Sequence, residues 1–293
     1  MTEKNPSDSL VRNPELVVAA VYERVIEASL ERVWENVYDW EHLPYLHSEA
    51  FTGITLVDSG SWGWRAEVGM PGGQEGKIEL IADRPARHYV ARTLEGAGAS
   101  NETWTSLDPI SEYRTGIRVE FCSRPTEADA LRQFGKGMIG LYTLLWDQDE
   151  EMMQGRTQAL ASREEARAAR KGQPQSGPTV SIETVALGSI EVFRSRLPFV
   201  FEVDGRSYCV TELEGEFVAF PTECPHLLGP LADCAVKDGV IACPWHGYEF
   251  DVRSGKSTDG RSLRLRSAPR IEIDEVADRA YARFGSKEGY GSP

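Results

Sequence analysis

The chain is poor in the residues that mark secreted, membrane-embedded or nucleic-acid-binding proteins. Five cysteines in 293 residues are too few, and too odd in number, for a secreted disulfide framework, which leaves metal binding or simple burial to account for them. No apolar run approaches the ~20 residues of a membrane span. The N-terminus Met1-Thr2-Glu3-Lys4-Asn5-Pro6 is polar where a secretory signal is greasy, so a cytoplasmic protein is expected. Basic residues are short too: 32 against 46 acidic, a formal net charge of -14, repels phosphate backbones and sets nucleic-acid binding aside. Histidines number only five, and four of them fall into two pairs, His42 with the nearby His47 and His226 with His246, leaving His88 alone.

What remains is an ordinary globular composition, 41% hydrophobic and 27% charged, at a length that accommodates roughly two domains. The clearest break in composition runs from Ser162 to Pro178, where a helix-forming stretch ending in Arg170-Lys171 gives way to Gly172-Gln173-Pro174-Gln175-Ser176-Gly177-Pro178. Basic residues followed by glycine and proline stop a helix and open a linker. The expected organisation is therefore a first domain over 1–171, a linker over 172–178 and a second domain over 179–293.

In the first domain, Leu16 to Ile26 reads as a strand, and Ser29 as the N-cap of a helix with Leu30, Val33, Trp34 and Val37 on one side. Alternating segments over 64–68, 77–80, 88–92, 101–107 and 115–121 read as antiparallel strands. Thr126 to Asp129 resembles a capping box opening a long last helix with Leu131, Phe134, Met138, Leu141, Leu144 and Leu145. Within that helix Gly135-Lys136-Gly137-Met138-Ile139-Gly140 spells the dinucleotide fingerprint. It sits mid-helix instead of between a strand and a helix, so it is read as small residues that let the helix approach the sheet. Trp62, Trp64, Trp104 and Tyr113 alternate along the sheet as core or cavity-lining candidates. The second domain reads as all-β, with Asp204-Gly205 and Glu214-Gly215 as hairpin turns.

Two loops of that second domain carry Cys224-Pro225-His226 and Cys243-Pro244-Trp245-His246. Two thiolates and two imidazoles can hold one zinc ion or a two-iron cluster. A common zinc finger pairs Cys with Cys and His with His, whereas here each loop supplies one of each, as a cluster needs when one iron takes both cysteines and the other both histidines. With Gly247, Phe250-Asp251 and Gly255, these residues resemble the Rieske [2Fe-2S] domain. The resemblance implies Cys224, His226, Cys243 and His246 as cluster ligands. It also places this chain with the members that lack a disulfide between the ligand loops, because Gly229 and Trp245 stand where those cysteines would be. Cys122, Cys209 and Cys234 are then expected as small buried hydrophobes.

The other histidine pair lies in Asp39-Trp40-Glu41-His42-Leu43-Pro44-Tyr45-Leu46-His47. Two imidazoles and one carboxylate on one face of iron leave positions open for dioxygen and substrate. On an ideal helix His42 and His47 would sit roughly 140° apart, but Pro44 removes a helix hydrogen bond to Trp40 and lets the chain bend between them. The segment resembles the mononuclear-iron motif of Rieske non-haem iron oxygenases: Asp, two residues, His, four residues, His, with Asn and an acidic residue just upstream, here Asn36 and Glu35. That resemblance implies His42 and His47 as iron ligands, Asp149 on the last helix as the third ligand with Asp147 and Glu150 as alternatives, and Asp39 as the bridge that passes electrons. It further implies an α+β chain of an N-terminal helix-grip domain, an antiparallel sheet around a long C-terminal helix, followed by an all-β Rieske domain, in the reverse of the family's usual order.

The function expected is O2-dependent hydroxylation, dihydroxylation or dealkylation of an apolar or aromatic small molecule, using a [2Fe-2S] cluster and mononuclear Fe(II). The implied partners are a ferredoxin or flavoprotein reductase with NAD(P)H, and a homotrimer is the assembly the family favours. The competing expectation is a helix-grip ligand-binding protein fused to a Rieske ferredoxin-like electron carrier, with no mononuclear iron. The first domain resembles the wider helix-grip group equally.

Overall fold

A computed structural model describes residues 10–171 and 184–285; the expected linker over 172–178 lies outside the described residues. Compactness divides the chain into Met1–Gln154 and Gly155–Pro293.

The first unit runs β1 (Val17–Ile26), α1 (Leu30–Tyr38), α2 (Leu43–Leu46), β2 (Gly53–Gly60), β3 (Gly63–Met70), β4 (Gln74–Asp83), β5 (His88–Glu95), β6 (Glu102–Ser111), β7 (Arg114–Ser123) and the start of α3 (Ala128–Lys171). Six strands pair with their neighbours in sequence while β1 joins β7, giving one antiparallel sheet in the order β1-β7-β6-β5-β4-β3-β2. Period-2 patterning sets which face is covered: Trp64, Ala66 and Val68 of β3 and Thr115, Ile117, Val119 and Phe121 of β7 are buried, while Glu67 and Arg118 between them are exposed. Phe134, Met138, Tyr142, Trp146 and Met153 of α3 pack on that face at helical spacing. Each fully buried large apolar side chain contributes about 1.5–3 kcal/mol, and Phe121 meets Tyr142 edge-on at 4.8 Å between ring centroids. This is the helix-grip arrangement expected above.

The serine expected to cap α1 does so, Ser29 Oγ accepting from the Arg32 N–H at 3.3 Å. The capping box expected at Thr126 does not form, because the Thr126 hydroxyl donates to the Glu127 carbonyl instead. The glycine fingerprint lies inside α3, and Gly135 brings that helix against β1: a Cβ there would stand 2.8 Å from Ala20 Cβ. Tyr113 departs from the aromatic row, standing 56% exposed in the β6–β7 turn.

The second unit contains β8 (Thr184–Gly188), α4 (Ile190–Ser195), β9 (Phe199–Val203), β10 (Arg206–Leu213), β11 (Glu216–Pro221), β12 (Val236–Lys237), β13 (Val240–Ala242), β14 (Glu249–Asp251), β15 (Arg270–Asp274) and β16 (Arg279–Arg283). These strands form three small antiparallel sheets, β11-β10-β9, β12-β13-β14 and β15-β16-β8, with α4 as the one short helix described among them. Both predicted hairpin turns are present with positive φ at Asp204, Gly205, Glu214 and Gly215, the backbone that the twist of a two-residue hairpin requires. The last turns of α3 belong to this unit: Arg156 donates to the Leu227 carbonyl at 3.1 Å and Arg163 to Glu223 at 2.7 Å. No helix of the described residues is long and apolar enough to cross a membrane.

Candidate metal centres

In the second unit, Cys224 follows β11 and Cys243 sits between β13 and β14, each opening a tight loop. The Cys224 N–H donates to the Gly229 carbonyl at 2.9 Å, and the Gly247 N–H to the Cys243 carbonyl at 2.8 Å. Both sulfurs are buried and within hydrogen-bonding reach of one another. Hydrogen bonds from the Cys224 thiol, His246 and the backbone N–H groups of Trp245 and His246 hold the Cys243 thiol down at about 5, and the same shared proton, with burial, pushes Cys224 up. The imidazoles of His226 and His246 lie 4.5 Å apart between ring centroids, nearly perpendicular. Tyr248 stacks on His226 at 4.4 Å, and the Arg261 guanidinium covers Tyr248 at 3.9 Å.

This set of two sulfurs and two imidazoles, buried at Cys224, Cys243 and His246 and half-buried at His226, fits a [2Fe-2S] cluster with sulfur on one iron and nitrogen on the other. A residue larger than glycine at 229, such as the cysteine of members with a loop-to-loop disulfide, has no room here. A Cβ on Gly229 would lie 2.5 Å from Cys243 Sγ, with the Trp245 ring 3.2 Å away on another side. Of the leftover cysteines, Cys122 and Cys209 are buried, with burial pushing Cys209 up to about 11. Cys234 is a correction to the expectation, being only half-buried, its thiol donating to the Pro230 carbonyl.

In the first unit, α1 stops at Tyr38 and Asp39 caps its C-terminus, its N–H reaching the Asn36 and Glu35 carbonyls. The chain restarts as the one-turn α2, with His42 at its N-cap, His47 at its C-cap and Pro44 in its first turn, where the missing N–H costs nothing. The bend therefore falls between Asp39 and His42, ahead of the position expected at Pro44. Because the two imidazoles flank one short helix instead of sharing a long one, their ring centroids come within 5.1 Å.

Asp149 of α3 meets them. His47 Nε2 lies 3.0 Å and His42 Nε2 3.5 Å from Asp149 Oδ1, and donor atoms of all three residues fall within 4.8 Å of one another, all three residues buried. Asp39 Oδ2 is 3.6 Å from His42 Nδ1. Asp147 and Glu150 go elsewhere: both pair with Arg24 of β1, at 2.7 and 2.6 Å, and Glu150 also accepts from the Glu27 N–H. Burial disfavours charge on both members of the His47–Asp149 pair. The hydrogen bond and mutual attraction outweigh it, holding the Asp149 carboxyl low and His47 high.

Two neighbours orient the trio, and the sequence reading assigned neither a role. Asn36, buried on α1, donates to Asp149 Oδ1 at 2.9 Å, and Gln148 Oε1 lies 2.7 Å from His47 Nδ1. Gln148 on Nδ1 fixes the ring so that Nε2 faces Asp149 and the gap between the three residues. The trio borders a cavity of about 140 Å³ whose other walls include Trp64, Ile78, Leu80, Tyr89, Leu145 and Trp146.

A family model described as the Rieske [2Fe-2S] domain matches residues 183–269, a stretch that contains all four cluster candidates. Residues 183–269 are a Rieske [2Fe-2S] domain. The chain is similar to the oxygenase component of dicamba O-demethylase from Stenotrophomonas maltophilia, 34% identical over 70 residues, covering 22% of this chain and 21% of that protein. It is also similar to the ferredoxin component of the alkene monooxygenase system of Xanthobacter autotrophicus, 31% identical over 71 residues, covering 24% of this chain and 58% of that protein. This chain thus spans about a fifth of the demethylase component and little more than half of the ferredoxin. Among solved structures, norcoclaurine synthase from Thalictrum flavum is 18% identical, covering 52% of this chain and 92% of that one, with a TM-score of 0.36. The chain thus contains a Rieske domain and the helix-grip unit described above.

Proposed function

We propose that the chain is a Rieske-type non-haem iron oxygenase, with Cys224, His226, Cys243 and His246 holding the [2Fe-2S] cluster and His42, His47 and Asp149 holding one ferrous ion. The observation that carries this reading is the trio itself: two imidazoles and one carboxylate, buried together beside a cavity, in a chain that also contains an electron-transfer domain. Two His and one carboxylate is the donor set of non-haem iron(II) oxygenases.

When bound there, iron supplies dioxygen activation. The chain's own residues do the rest. Asn36 holds the Asp149 carboxylate by one oxygen, Gln148 selects the His47 tautomer, and the aromatic and aliphatic walls exclude water from the bound substrate. Asp39, beside His42, is assigned the bridging role by resemblance. Electrons come from a ferredoxin or flavoprotein reductase with NAD(P)H, and the assembly proposed is a homotrimer in which the Rieske domain serves the iron.

The competing reading, a ligand-binding domain fused to an electron carrier, draws on the likeness to a ferredoxin component. Iron and sulfide quantification separates them. The oxygenase holds about three irons per chain against about two for the carrier, and His42→Ala removes one iron while the cluster absorption stays. Wild type with cluster iron alone contradicts the oxygenase.

A further inference from the structure

The loops of the second unit carry more than the four candidate cluster ligands. Tyr248, two residues after His246 and buried, stacks on the His226 ring with 4.4 Å between centroids and 25° between planes. Over the same tyrosine lies the Arg261 guanidinium, 3.9 Å from the ring centroid. The two spacings together keep that cation within about 8 Å of a ligand imidazole, less than the Debye length of ~10 Å at 0.1 M salt.

Stacking alone does not hold Arg261 there. Asp259 pairs with it, Oδ2 accepting from Nη1 at 2.6 Å and Oδ1 from the Arg261 N–H at 3.2 Å. The same carboxylate accepts from the Glu249 N–H at 3.1 Å and from the Ser257 hydroxyl, and the Thr258 N–H donates to the Glu249 carbonyl at 3.0 Å. Glu249 directly follows Tyr248, so Asp259 ties the 257–261 loop to the strand end that carries the stacked ring. A planar guanidinium held by a carboxylate and laid on an aromatic face is pre-organised, unlike a free surface arginine. Charges of both signs thus stand at fixed places beside the cluster loops: the cation over Tyr248, and an anion whose field reaches Cys224.

We infer that Arg261 is a positioning residue that raises the reduction potential of the [2Fe-2S] cluster, acting across the Tyr248 ring onto His226, while Asp259 both holds it there and opposes it. Reduction adds one electron, and so one negative charge, to the cluster, and no bond forms or breaks in the stack. A nearby cation favours the reduced form and a nearby anion disfavours it. Charge and hydrogen bonding around a cluster are the means by which a protein sets its potential. The inference rests on Cys224, His226, Cys243 and His246 holding the cluster, and it is independent of any ion at His42, His47 and Asp149.

The test is a spectroelectrochemical titration of the cluster in the full chain at neutral pH and low salt, on wild type, Arg261→Gln, Asp259→Asn and the double variant. Arg261→Gln is expected to shift the reduction equilibrium toward the oxidised form by about threefold to tenfold, which for one electron is a fall of about 30–60 mV. Asp259→Asn shifts it the other way, and the double variant returns close to wild type. At about 1 M salt, where the Debye length is about 3 Å, both shifts shrink. Arg261→Lys keeps the charge but loses the planar fork, so its potential falls between those of wild type and Arg261→Gln; it also serves where the glutamine variant fails to load. Unmoved potentials in both single variants make the stack purely structural and overturn the inference. Shifts of one sign in both, or shifts insensitive to salt, overturn it as well, because loop packing and not charge then moves the cluster. Iron and sulfide content are read on every sample. Wild type without two cluster irons overturns the cluster assignment itself, whereas a full cluster with an unmoved potential overturns only the role of Arg261.

Discussion

Gly229→Ala tests how closely the Rieske loops are built around their sulfurs. A Cβ at this position would lie 2.5 Å from Cys243 Sγ and 3.2 Å from two atoms of the Trp245 ring. Ordinary contacts between heavy atoms are about 3.5–4.0 Å, so the sulfur must retreat by about 1 Å. Metal–ligand distances tolerate only about 0.2 Å. Retreat is blocked on the ring side, and the backbone is pinned by the Cys224 N–H on the Gly229 carbonyl. Overpacking of this kind costs about 1–3 kcal/mol, which lowers cluster retention about fivefold to hundredfold. The assay is iron and sulfide content with the visible absorption of the cluster, beside far-ultraviolet circular dichroism of the same sample. Gly140→Ala is the control: nothing lies within 4 Å of its Cβ on α3, so the cluster is retained and the helix gains about 1 kcal/mol. Gly229→Ala that folds and carries a full cluster with unchanged absorption refutes the argument.

Two more perturbations follow from contacts on the page. Asn36→Ala removes the donor to Asp149 Oδ1 and weakens ferrous-ion affinity about 10–100-fold, read by metal titration with circular dichroism confirming the fold; unchanged affinity assigns Asn36 a packing role only. Asp259 offers a pH test. Burial opposes its ionisation, but hydrogen bonds from Ser257, Arg261 and the backbone N–H groups of Glu249 and Arg261 hold the carboxyl at about 2. Because the folded value lies below the unfolded one, the stabilisation is present above pH ~4 and is lost as pH falls toward 2. After allowance for solvent screening it amounts to about 1 kcal/mol. Asp259→Asn therefore melts below wild type at pH 5 and converges with it near pH 2; a constant difference across that range contradicts the assignment.

The two sites were legible in the sequence to different depths. The candidate cluster ligands lie in two short loops whose spacing carries the chemistry locally, so Cys224, His226, Cys243 and His246 could be proposed before any fold was known. The pair His42 and His47 was equally visible, but its geometry was not, since the helix period places them on different faces. Only the end of α1 at Tyr38 and the restart at His42 bring the rings together. Choosing among Asp147, Asp149 and Glu150 was beyond local pattern, because three acids within one helical turn differ only in what faces them. Arg24, more than a hundred positions earlier on β1, takes Asp147 and Glu150, and Asn36 takes Asp149. Asn36 belongs to the motif the segment resembles, but its contact with Asp149 was not readable, since the partner of a buried polar residue on a helix is supplied only by tertiary packing. The sheet order was readable as a meander, but the closure of β1 on β7 joins the two ends of the sheet across the whole unit.

The central claim is a ferrous ion held by His42, His47 and Asp149, and diffraction measured at the iron absorption edge from crystals of iron-loaded protein tests it directly. The account predicts an anomalous peak about 2.0–2.2 Å from a ring nitrogen of each histidine and an oxygen of Asp149, in addition to the density of the cluster between the two Rieske loops. Anomalous density at the cluster alone, with the trio retaining the direct His47–Asp149 hydrogen bond, contradicts it.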